Sequence, residues 1–88
     1  MPRERVLIGS FGPDDEVRGV ARRSLETGLE VVYVGGDQGV EQLVRSAVAE
    51  DAGRVIVDAD ADQLERLRAA CAELGIVVEA LDTHSRPV

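Results

Sequence analysis

Residues 5–19 read RVLIGSFGPDDEVRG, and this stretch decides the fold. Val6-Leu7-Ile8 is a short apolar run that reads as a strand, and the Gly/Ser/Pro-rich segment after it reads as a turn. Asp14, Asp15 and Glu16 then put carboxylates where a helix start favours them, with Asp14 the expected N-cap. Val17, Val20, Ala21, Ser24 and Leu25 follow at i, i+3, i+4, i+7 and i+8, one face of a helix that Gly28 is placed to end. In alternating α/β proteins the turn after the first strand is a usual ligand site, so the question of function becomes what residues 12–19 can hold.

Working outward, the same unit recurs. Residues 30–34 (EVVYV) form a second strand stopped by Gly35-Gly36, and Val40, Leu43, Val44, Ala47 and Val48 repeat the helical spacing. Gly53 precedes a third strand over 54–58. Leu64, Leu67, Cys71 and Leu74 mark a third helix closed by Gly75, and residues 76–80 form a fourth strand. Residues 81–88, with Pro87, read as a tail. The pattern βαβαβαβ with short connections predicts a parallel sheet with right-handed crossovers. Its strands are apolar on both faces, as buried parallel strands are.

For the strand order 2-1-3-4, helix 1 lies alone on its side of the sheet. Strands 3 and 4 are then partly uncovered there, and strand 4 is an open edge. Such a surface is expected to recruit something apolar, and self-association is the simplest answer.

The chain has 88 residues, which predicts one small domain over 1–88 with a thin margin of stability. Phe11 and Tyr33 are the only aromatic residues, so the core must be built from Val, Leu, Ile and Ala. The net charge is −7 and every basic residue is arginine. An acidic chain without a basic stripe argues against nucleic acid and anionic membranes as partners. Cys71 is the single cysteine, so no internal disulfide forms. Neither a leader nor a long apolar run is legible, and a cytoplasmic location is the expectation.

The runs RGVARRSLETGLEVVYVGG (18–36) and GVEQLVRSAVAEDAGRVIV (39–57) carry a family resemblance. Over residues 5–80 the chain resembles the cobalamin (B12)-binding domain of methylmalonyl-CoA mutase and related adenosylcobalamin isomerases. The resemblance implies a flavodoxin-like (Rossmann-like) three-layer α/β sandwich. It also implies cobalamin at the carboxyl ends of the strands, held through a D-x-H-x-x-G turn whose His ligates cobalt. The matching residues are Asp14-Asp15-Glu16-Val17-Arg18-Gly19: Asp14 and Gly19 are kept, and Glu16 stands where the His belongs.

A carboxylate is a harder donor than imidazole and cannot reproduce the Asp–His pair. Other departures accompany it. Asp58-Ala59-Asp60-Ala61-Asp62 replaces small Ser-type residues, and Glu79-Ala80 replaces a Gly-Gly turn. Helix 1 is about one turn shorter than the family's, and the fifth strand and last helix are missing. Asp14, Glu16 and Gly19 are therefore expected to be vestigial cofactor-binding positions, with no cofactor held.

The resulting expectation is a shortened, degenerate domain acting as a non-catalytic interaction or oligomerisation module. It forms a homodimer or docks on a partner such as a mutase subunit, through strand 4 and its uncovered face. The alternative is the cobalamin-binding small subunit of an adenosylcobalamin-dependent acyl-CoA mutase, an accessory to an isomerase.

The acidic loops offer a third reading. Asp14, Asp15, Asp58, Asp60 and Asp62 are expected to gather at the carboxyl ends of strands 1 and 3. Asp14, Asp58 and Asp60 are then candidate Mg²⁺ ligands, in a receiver-like or phosphatase-like site. Both of those families use a lysine near the phosphoryl group, and this chain has none. The competing role for Asp58, Asp60 and Asp62 is capping and first-turn placement on helix 3. The turn glycines Gly9, Gly12, Gly35 and Gly36 match no phosphate-binding fingerprint. His84 stands alone in the tail, Cys71 is in phase with the apolar face of helix 3, and Arg22-Arg23 read as solvated charge.

Overall fold

The computed structural model describes residues 4–81. Seven elements follow in order: β1 (Arg5–Ser10), α1 (Asp15–Glu26), β2 (Glu30–Gly35), α2 (Val40–Ala49), β3 (Arg54–Asp58), α3 (Ala61–Ala72) and β4 (Val77–Ala80). The four strands are all parallel and run β2-β1-β3-β4 across the sheet. This is a flavodoxin-like α/β sandwich arrangement, with the parallel sheet that the βαβαβαβ pattern predicts. His84 and Pro87 lie outside the described residues.

β1 is interior, and Val6, Leu7 and Ile8 are fully buried on alternating faces. On one side, α2 and α3 close over Leu7, Val55, Val57 and Val78 with Leu43, Ala47, Leu67 and Cys71. On the other, α1 covers Val6 and Ile8 with Val17 and Ala21. Nine buried residues make up the first cluster and four the second, so the α1 layer is the thin one. α1 does lie alone on its side.

The face that α1 leaves open differs from a bare apolar sheet. Ile56 and Val77 are there, but Arg54 bonds Glu79 across it and also reaches Glu4 at 3.2 Å. The expectation of strands apolar on both faces therefore fails at β3–β4, where an ion-pair chain takes the place of a covering helix. The tail begins later than expected too. Leu81 N–H donates to the Val57 carbonyl at 2.8 Å, and its side chain packs on the α1-side cluster.

Helix ends follow local chemistry. Gly28 (φ 88°) and Gly75 (φ 71°) take the left-handed position after α1 and α3, where glycine has no Cβ penalty. After α2 that position belongs to Asp51 (φ 54°), two residues before Gly53. Aspartate is one of the few side chains that tolerate this geometry.

Candidate functional site

The β1–α1 turn sits at the carboxyl ends of the strands, beside the switch point between β1 and β3 where the crossovers diverge. Its backbone is tied on both flanks. Toward β3, Phe11 N–H donates to the Asp58 carbonyl at 3.0 Å, extending the ladder one rung past β1. Toward β2, Asp37 N–H donates to the Gly12 carbonyl and Gln38 N–H to the Ser10 carbonyl, both at 2.9 Å. The fully buried Ser10 hydroxyl accepts from Gly12 N–H at 3.1 Å and fixes the turn internally.

Two glycines permit this approach. A Cβ on Gly36 would lie 2.6 Å from the Gly12 carbonyl oxygen, and one on Gly9 would lie 2.7 Å from Val34 Cγ2. Both distances are below any real contact, so the β2–α2 loop can lie on the β1–α1 turn only with glycine at 36, and β1 can meet β2 at this slip only with glycine at 9. The β1–β2 register slips between Ile8 and Gly9, which brings Gly35 rather than Val34 opposite Gly9. Phe11 packs against the α2–α3 side of the core.

Asp14 occupies the N-cap position of α1 as expected, but its side chain makes no capping bond. Its carboxylate instead accepts from the Tyr33 hydroxyl at 2.6 Å and from Arg18 Nε at 3.3 Å. The Tyr33 bond is the main reason that the Asp14 pKa falls below the ordinary aspartate value, with Arg18 adding to it. Burial, and then the Asp14 bond, raises the Tyr33 phenol above its ordinary value. Tyr33 shares a sheet face with Val31, on the α1 side, which lets it reach up to the start of the helix.

Glu16 lies exposed in the first turn of α1. Gly19 is in the middle of that helix, and a Cβ there would touch only Arg23 Nη1 at 3.5 Å. No steric need for glycine exists at this position. Of the three motif positions, Asp14 is thus engaged, Glu16 faces solvent, and Gly19 is unconstrained.

The loop acids each have local work. Asp60 N-caps α3, accepting from Gln63 N–H at 2.8 Å while Gln63 Oε1 accepts from Asp60 N–H at 3.0 Å. Asp62 pairs with Arg66 at 3.2 Å. Asp58 is half-buried at the end of β3. Among the described residues, no three His, Cys, Asp or Glu side chains come together as a metal-holding group. No helix is long and apolar enough to cross a membrane among those residues.

Sequence reasoning missed Tyr33, Arg18 and Gln38. The i, i+4 spacing of Asp14 and Arg18 was a legible signal. Tyr33 carried none, because an alternate residue of an edge strand reads as filler. Compared with known proteins, the sequence matches no family model and no curated protein.

Proposed function

We propose that this chain is a non-catalytic protein-association module whose ligand-type turn binds the protein's own residues. One observation carries the reading: the Asp14 carboxylate is taken by Tyr33 and Arg18, in a turn bonded to the end of β3 and to the β2–α2 loop. A cobalamin-carrying role needs Asp14 to orient an imidazole, and here the candidate ligand is the exposed carboxylate of Glu16. That donor set does not fit the cofactor.

Association has its own support. Leu25, Val48, Leu74 and Val77 are each more than half exposed, at 59%, 57%, 51% and 51%. For so small a core these are large apolar side chains left outside, and covering them by a protein surface is favourable. Light scattering on the full chain tests the proposal. A mass of twice one chain is expected at micromolar concentration, and a clean monomer at high micromolar concentration would overturn it.

A further inference from the structure

We infer that α2 is the contact surface of a homodimer, packed antiparallel on its own copy about a two-fold axis near Val44. The inference deepens the association reading and rests on it. An open groove of about 750 Å³ runs along the outer side of α2, floored by Val40, Val44 and Val48. These valines stand at i, i+4 and i+8 and form one ridge, the kind that interdigitates when helices pack. Ala49 of α2 and Ala70 of α3 complete the lining and are small enough for a second backbone to come close.

Charge identifies the occupant. Glu41 and Arg45 each follow a ridge valine by one position, so both rim the same side of the ridge. A two-fold axis keeps that side of one helix against the same side of the other and reverses its direction. Val40 of one copy then meets Val48 of the other, Glu41 of each copy comes beside Arg45 of its mate, and the two Arg45 side chains neighbour each other at the axis, between the two opposite-charge pairs. The rim complements itself, as an isologous interface requires. Within one chain Glu41 and Arg45 now bond each other at 2.7 Å, with side chains 83% and 77% exposed, so both can turn outward at little cost.

The rival surfaces fit a second copy less well. The open face of β3–β4 carries the Arg54–Glu79 and Arg54–Glu4 pairs, whose burial would demand desolvation. The groove of about 360 Å³ beside β2 is the smaller one, and its rim carries Arg18, already held by Asp14, and Arg22, with no acid of its own in the lining.

The test is sedimentation equilibrium on the full chain and on Glu41→Arg, Arg45→Glu and Val48→Glu, with circular dichroism confirming that each variant folds. Each variant is expected to weaken the dimer by about tenfold or more. An equimolar mixture of Glu41→Arg with Arg45→Glu is expected to recover association as a heterodimer. Neither variant can restore its own intrahelical pair, so recovery must come from across an interface. Wild-type dimerisation untouched by all three variants, or a mixture that stays apart, would overturn the α2 interface and leave the association reading standing. A wild-type monomer would overturn both.

Discussion

The Tyr33 hydroxyl on β2 donates to the Asp14 carboxylate at the entry of α1, across 2.6 Å. The bond ties an edge strand to the start of the helix that covers it. It also engages the Asp14 carboxylate, leaving Asp15 and Glu16 as the exposed acids of that turn.

Tyr33 is the single tyrosine and the chain has no tryptophan, so ultraviolet titration of tyrosinate reports on this contact alone. The native midpoint is expected above 10.0, mainly through burial and then through Asp14. Asp14→Asn is expected to lower it, because the bond and charge of Asp14 both favour the protonated phenol.

The same pair sets a pH window for stability. A raised phenol pKa contributes fully below the ordinary value of 10.0 and is lost as pH climbs through the folded value. A depressed carboxylate pKa contributes above the ordinary 3.8 and is lost as pH falls through the folded value. Urea denaturation should find Tyr33→Phe less stable than wild type near neutrality. The gap should close in acid below 3.8 and in alkali above 10.0.

Three glycines should respond differently to alanine. Gly9→Ala drives a methyl into Val34, and Gly36→Ala drives one into the Gly12 carbonyl. Overpacking of this kind costs about 1–3 kcal/mol, more where backbone must move. Gly19→Ala puts a methyl at ordinary contact distance from the flexible Arg23 side chain mid-helix and is expected to stabilise by about 0.5–1 kcal/mol. Denaturant midpoints decide between these signs.

Cys71 is fully buried against α2 and the sheet, and burial pushes its thiol up from 9.0. Thiol reagents should label it only as fast as the chain opens. Cys71→Ser, which buries a hydroxyl in an apolar site, is expected to cost about 1–3 kcal/mol. Rapid labelling of the native protein would contradict this placement.

Asp60 is expected to act as a cap rather than as a metal ligand. Asp60→Ala should lower stability by about 0.5–2 kcal/mol through loss of the Gln63 N–H bond. Mg²⁺ should leave the wild-type Tm unchanged, whereas a rise with metal concentration would reveal a site of useful affinity.

What the sequence disclosed was governed by local rules. β1 and β3 follow from apolar runs between turn residues, Gly28 and Gly75 from the need for a left-handed residue, and Asp60 from the preference of helix N-termini for acids. What it concealed depended on contacts between distant segments. Asp14 reads as a cap until Tyr33, nineteen residues away, competes for its carboxylate. Arg54 and Glu79 read as strand-end charges until the parallel register sets them on one open face. Ser10 and Gln38 look like turn filler, yet they hold two loops together.

Titrating the wild-type protein with hydroxocobalamin while following the visible spectrum tests the central claim most directly. With Asp14 engaged by Tyr33 and a carboxylate at position 16, the spectrum should remain that of the free cofactor and no colour should stay with the protein after desalting. A saturable spectral shift at one cofactor per chain would contradict the account.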